Sequence, residues 1–193
     1  LPSGILGIQI FLAFSGLIVF SLRPHDEIFG WLGMMMAGIS AVSLMTFSNI
    51  FPALETDIRF AIGFVPFGAF GLLGFAQMLA GKPSSTDLVK VTLTLSATLF
   101  LSVLFGVRNE LLGIIIVIPS VLFCFLGALY YLIRTIRRDP KAEVILFSVG
   151  LVALVAGSVH DFMLRTGKIS DGLWVAQPSR IIILIAIAIF IVR

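Results

Sequence analysis

The chain alternates between long apolar runs and short polar breaks. Seven apolar runs are present, and each has about the 20 residues that a helix needs to cross the hydrocarbon core of a bilayer. Charged residues and turn formers separate them, as in the break Arg23-Pro24-His25-Asp26. The pattern predicts seven transmembrane helices, over residues 4–22, 28–50, 59–80, 86–106, 111–134, 142–165 and 173–193.

Composition agrees with a membrane location. The chain is 59% hydrophobic and 12% charged, whereas soluble domains have about 25% charged residues. A chain this apolar cannot cover its surface with polar groups, so its solvent must be lipid. We therefore predict an all-α fold, a polytopic membrane helix bundle that forms a single domain over residues 1–193, with the lipid bilayer as its main partner.

The basic residues predict the orientation of this bundle. An odd number of spans places the two termini on opposite sides, and cytoplasmic loops are enriched in lysine and arginine. With the N-terminus outside, eight basic residues lie inside and five outside, so we predict N-out and C-in. The inner set is Arg23, Lys82, Lys90, Arg134, Arg137, Arg138, Lys141 and Arg193, and the outer set is Arg59, Arg108, Arg165, Lys168 and Arg180. The net charge of +3 is too small to indicate a nucleic-acid partner.

Small residues recur at helical spacing within several predicted spans. Such residues let helix backbones approach closely in lipid. The interpretation we favour is packing within one chain, and the alternative is the contact face of a homodimer. The rows are Gly33, Ala37 and Ala41, then Gly68, Gly71 and Gly74, then Ala153 and Gly157.

Ionisable residues inside membrane spans are candidates for a functional site. On the predicted topology they gather at the outer end of the bundle. Asp161 and Arg165 have the i, i+4 spacing of a helical ion pair, and Arg180 needs an anion, for which Asp161 or Glu110 is suitable. The cluster is either a structural network of ion pairs or a ligand- or proton-sensing site. Its candidate residues are His160, Asp161, Arg165, Arg180, Glu110 and Arg59.

Several chemistries lack the residues that they require. The two histidines, His25 and His160, fall on opposite predicted faces, so no metal or haem site is expected. The last span has no lysine to carry retinal, and no catalytic or phosphate-binding motif is present. We therefore predict no cofactor, no metal and no catalytic residue in this segment.

Two stretches resemble a known family. One is residues 156–169, which read AGSVHDFMLRTGKI, followed by Trp174 and a long final helix. The other is Arg23-Pro24-His25-Asp26 with the Gly-rich, aromatic second span after it. Together with the seven predicted spans, they resemble the membrane module of bacterial seven-transmembrane receptors with diverse intracellular signalling modules.

The resemblance implies a function in signal transduction across the inner (cytoplasmic) membrane. In that family the module lies between an outer sensor domain and a cytoplasmic histidine kinase or diguanylate cyclase. The expectation is therefore a segment of a longer protein, which agrees with a start at Leu1 and an end at Arg193. Enzyme activity would belong to an output domain of the full-length protein. The alternatives are a structural or accessory subunit of a larger membrane complex, and a small-molecule transporter.

Overall fold

A computed structural model of the chain describes the backbone of residues 2–47, 54–81, 110–165 and 176–192. Side chains in its helices are described for residues 4, 6–41, 64–81, 119–161, 163 and 178–192. The fourth predicted span, 86–106, and the predicted loop that contains Lys168 lie outside the described residues.

The described residues form six α-helices and no strand. The all-α prediction is confirmed for this part of the chain. Each helix falls on one of the predicted apolar runs. The helices are α1 (Pro2–Leu22), α2 (Glu27–Phe47), α3 (Leu54–Leu79), α4 (Glu110–Arg138), α5 (Ala142–Arg165) and α6 (Ala176–Val192).

The helix ends follow from the residues in the polar breaks. Pro24 cannot continue α1, and the backbone carbonyl of Asp26 accepts a hydrogen bond of 3.1 Å from the Phe29 N–H at the start of α2. After α3, Gly81 adopts a φ of 68°, and its N–H donates to the carbonyl of Met78 at 2.9 Å. A left-handed residue just after a helix is usually glycine, since a side chain is disfavoured there.

Two helices, rather than about seven, contain a segment that is long and apolar enough to cross a membrane. These segments are Pro119–Arg138 in α4 and Ala142–Asp161 in α5. A span needs about 20 residues, and over the described side chains the other apolar helical segments have only 10–17. The described part of the chain therefore supports two spans, and it does not confirm seven.

The two long segments differ from the core helices of a soluble protein. In the most apolar part of each segment, only 17% of the residues are buried in α4 and 33% in α5. Most residues in these two stretches are therefore partly or fully exposed. Large exposed apolar side chains continue along both helices, and they include Leu122, Phe123, Leu126, Ile133, Val149, Val152 and Val159.

The chain divides into two compact units, with the boundary inside α4. The N-terminal unit is Leu6–Tyr131, and the C-terminal unit is Leu132–Arg193 with Leu1–Ile5. The prediction of a single domain stays a prediction.

Glycines set the close approach of helices in the N-terminal unit. Gly38 of α2 lies directly against Gly68 of α3, and Gly71 lies against the backbone of Met35. On the other side of α2, a Cβ at Gly33 would meet the backbone nitrogen of Leu17 in α1 at 2.9 Å. These glycines pack helix against helix within one chain, as the favoured interpretation predicted, and the homodimer stays a prediction.

In the C-terminal unit, α5 and α6 pack against each other. A Cβ at Gly150 of α5 would lie 2.8 Å from the Ile183 side chain of α6, so the missing side chain brings the two helices together. The buried face of α5 recurs at intervals of three and four residues, as expected of one side of a helix. It includes Glu143, Phe147, Gly150, Gly157 and Asp161.

The opposite face of α5 is apolar and exposed along most of the helix. From Ile145 to Met163 this exposed face covers about 27 Å, at about 1.5 Å per residue. The hydrocarbon core of a bilayer is about 30 Å thick. The face therefore has the length and the chemistry to contact lipid from one boundary of the membrane to the other. Its residues are Ile145, Val149, Val152, Val155, Val159 and Met163.

Candidate functional site

Three of the six predicted site residues have described side chains, and all three lie in the C-terminal unit. His160 and Asp161 are near the carboxyl end of α5, and Arg180 is near the amino end of α6. The side chains of the other three lie outside the described residues, although their backbones are helical. These are Arg59 in α3, Glu110 at the start of α4 and Arg165 at the end of α5.

Asp161 lies on the face of α5 that packs against α6. It is 8% exposed, although it lies in a helix made mostly of apolar residues. A carboxylate near the carboxyl end of a helix gains nothing from the helix dipole, which favours negative charge at the amino end. The position of Asp161 is therefore not explained by the local preferences of α5, and its charge needs support from another element.

Arg180 supplies that charge from α6. It is 5% exposed, and its positive charge acts on the carboxylate of Asp161. Arg180 lies near the amino end of α6, where the helix dipole disfavours a positive charge, just as the carboxyl end of α5 disfavours the negative charge of Asp161. The two residues compensate each other, because removing either one would leave a charge inside an apolar bundle. Of the two anions that the sequence offered for Arg180, Asp161 is the one whose charge acts on it; the side chain of Glu110 lies outside the described residues.

His160 lies at the open edge of this pair. Its Nδ1 is 3.3 Å from Oδ1 of Asp161, and 32% of its side chain is exposed against 11% for Asp161. A distance of 3.3 Å is long for a strong hydrogen bond, so the contact is a weak one. When Nδ1 carries a proton, it can donate to the carboxylate.

The three residues form an ordered series from the surface to the interior: His160, then Asp161, then Arg180. The imidazole of His160 contacts the carboxylate of Asp161, and the charge of that carboxylate acts on Arg180 in α6. Among the described residues, no group of three His, Cys, Asp or Glu side chains lies together as a metal site.

Buried polar residues outside the predicted cluster are also present. Glu143 is 6% exposed, and Ser179, next to Arg180, is 4% exposed. Glu143 is 18 residues before Asp161, and this interval of five helical turns places both on one face of α5. That spacing is the signal in the sequence that would have identified it. In the N-terminal unit, Gln9 is 1% exposed. The sequence feature that could have identified it is its position as a single amide side chain within an apolar run.

Comparisons with known proteins give no relative for this chain: no family model, no curated protein and no solved structure matches it. The function must therefore be argued from the residues and their arrangement.

Proposed function

We propose that the chain is the membrane-embedded signalling module of a bacterial receptor in the inner membrane. A stimulus at the outer face acts on the series His160, Asp161 and Arg180, and α6 passes the change to a cytoplasmic output domain. The observation that carries the proposal is the burial of two opposite charges, Asp161 on α5 and Arg180 on α6, in helices that pack together, with a partly open histidine beside Asp161.

A receptor needs two states that the stimulus distinguishes. In the described state, Asp161 and Arg180 are both buried, and the charge of the Asp161 carboxylate acts on Arg180. A proton or cationic group on His160 would compete with Arg180 for that carboxylate, whereas an anionic ligand would compete with Asp161 for Arg180. Either event changes how strongly α6 is held to α5. Small shifts or rotations of packed helices are an established way of transmitting such a change.

The proposal includes seven spans with the N-terminus outside, for which residues 86–106 provide the span between α3 and α4. We expect a membrane-impermeant maleimide to label Lys168→Cys on intact cells and to label Pro140→Cys only after permeabilisation. Native Cys124 is 0% exposed and is replaced by serine to remove any background. Labelling of Pro140→Cys on intact cells would show that the orientation is wrong.

The signalling role is tested on the full-length gene product with a reporter of its output. We expect Arg180→Leu to shift the basal output or the response to stimulus several-fold, because it removes the positive charge that links the carboxylate to α6. Arg180→Lys keeps that charge and should retain part of the response. The control is Arg23→Leu, which removes one arginine from an exposed position between α1 and α2.

Insertion and expression are measured for every variant, so that a loss of protein is not mistaken for a loss of signal. An unchanged output from well-inserted Arg180→Leu would refute the switch role of Arg180. Absence of any output domain from the full-length product, with copurification at fixed stoichiometry, would instead favour the accessory-subunit hypothesis. Solute uptake into proteoliposomes would favour a transporter.

A further inference from the structure

The turn between α4 and α5 is exposed and basic. We call residues 137–141 the basic turn. α4 ends at Arg138 and α5 begins at Ala142, and two backbone hydrogen bonds of 2.9 Å, Asp139 N–H to Thr135 and Lys141 N–H to Asp139, make the connection tight. Its charged side chains are therefore displayed from a well-defined backbone.

Within the basic turn, the charges are unequally compensated. Lys141 Nζ lies 3.1 Å from Oδ2 of Asp139, so the acid is engaged by the lysine. Arg137 and Arg138 are both exposed, and no ion pair joins them to an acid among the described residues. Both lie in the last turn of α4, where the negative end of the helix dipole stabilises positive charge. That end is equivalent to only about half a negative charge, which is less than the charge of the two arginines. Most of the positive charge therefore faces outward.

The exposed apolar face of α5 indicates where the basic turn lies relative to the hydrocarbon core of a membrane. That face begins at Ile145, and Lys141 lies about 6 Å beyond it at 1.5 Å per residue. On the α4 side, the nearest large exposed apolar residue is Ile133, which is 47% exposed. With the apolar face in hydrocarbon, Arg137 and Arg138 lie in the layer of lipid headgroups.

We propose that the basic turn binds the phosphate groups of anionic phospholipids through Arg137 and Arg138. The guanidinium group is suited to this ligand, because its planar donors match two phosphate oxygens at once. Charge complementarity and depth both favour a lipid in the cytoplasmic leaflet over a soluble partner. The inference rests on the membrane-spanning part of the proposed function and not on the signalling role.

The test measures lipid selectivity of the whole chain in vesicles of phosphatidylcholine mixed with phosphatidylglycerol. Spin-labelled versions of both lipids report their relative association with the protein. We expect Arg137→Gln combined with Arg138→Gln to lower the preference for phosphatidylglycerol by about 25-fold, since each basic residue near a membrane surface contributes about a fivefold factor. Asp139→Asn should raise the preference, because it releases Lys141.

Two controls distinguish a local lipid site from a general effect of net charge and from a site for soluble anions. Arg23→Gln changes the net charge as much as Arg138→Gln does, and an equal loss from both would overturn the proposal by assigning the effect to overall charge. Displacement of phosphatidylglycerol by inorganic phosphate at matched ionic strength would also overturn it, by showing a site for soluble anions. If the chain inserts without lipid preference, only this inference is wrong; if it does not insert, its membrane-spanning premise is wrong.

Discussion

Replacing Asp161 with asparagine is expected to lower the free energy of unfolding by about 3 kcal/mol, because breaking a buried ion pair leaves one charge without its counter-charge. Asparagine keeps the shape of the side chain and removes only its charge. Arg180, which is 5% exposed, would then lose the carboxylate that acts on it. The change in the free energy of unfolding is measured in detergent, with the loss of the helical circular-dichroism signal as the readout.

The double variant Asp161→Asn with Arg180→Gln distinguishes the pair from its two members. Since it removes both charges, we expect it to be less destabilised than the sum of the two single variants, with a coupling of about 1 kcal/mol or more. Asp139→Asn is the matched control. This substitution is the same, but Asp139 is exposed and its ion pair with Lys141 lies at the surface, where such pairs contribute little. Equal effects of Asp161→Asn and Asp139→Asn would contradict the buried pair.

The second large effect is expected at the contact between α2 and α3. Gly71→Ala should destabilise the N-terminal unit by about 3 kcal/mol, at the upper end of what overpacking usually costs. The added Cβ would overlap the backbone of Met35, and it would lie 2.9 Å from the carbonyl carbon of Met34. A backbone cannot move aside as a side chain does, so the two helices must separate. Thermal unfolding of the purified chain measures the loss.

The chain provides a matched control for this substitution in α1. Gly7 is also a helical glycine, and nothing lies within 4 Å of a Cβ built on it. Gly7→Ala should therefore be neutral, or stabilising by about 0.5–1 kcal/mol, because alanine is the better helix former. If Gly7→Ala and Gly71→Ala lowered stability equally, the effect would not come from the contact of α3 with α2.

The two predictions concern different units, and this makes them independent tests. Gly71 lies in the N-terminal unit and Asp161 in the C-terminal unit. Only the substitution of Asp161 is tied to the proposed signalling role. If Gly71→Ala lowers stability and Asp161→Asn changes the output, stability and the proposed switching belong to separate parts of the chain.

The sequence proposed the residues of the candidate site. It singled out His160, Asp161 and Arg180 because ionisable residues are rare in apolar runs, and in the structure Asp161 and Arg180 are both buried. Their role in a site stays a prediction. Ser179 and Glu143 were missed, because a polar residue near a helix end looks like an ordinary boundary residue. Their burial comes from the packing of whole helices, which no local pattern contains.

By itself the sequence determined that the described chain is helical and which apolar runs form its helices. The predicted ends were less accurate: α3 begins at Leu54 rather than at residue 59, and α4 ends at Arg138 rather than at residue 134. Runs of apolar residues, Pro24, Asp26 and Gly81 act within a few residues of themselves, so their effects can be predicted locally. The tertiary structure decided which faces are covered. It placed Gly38 on Gly68, used small residues for contacts within the chain, and left one side of α5 open. The sequence could not decide these points, because the partner of each side chain depends on residues far away along the chain.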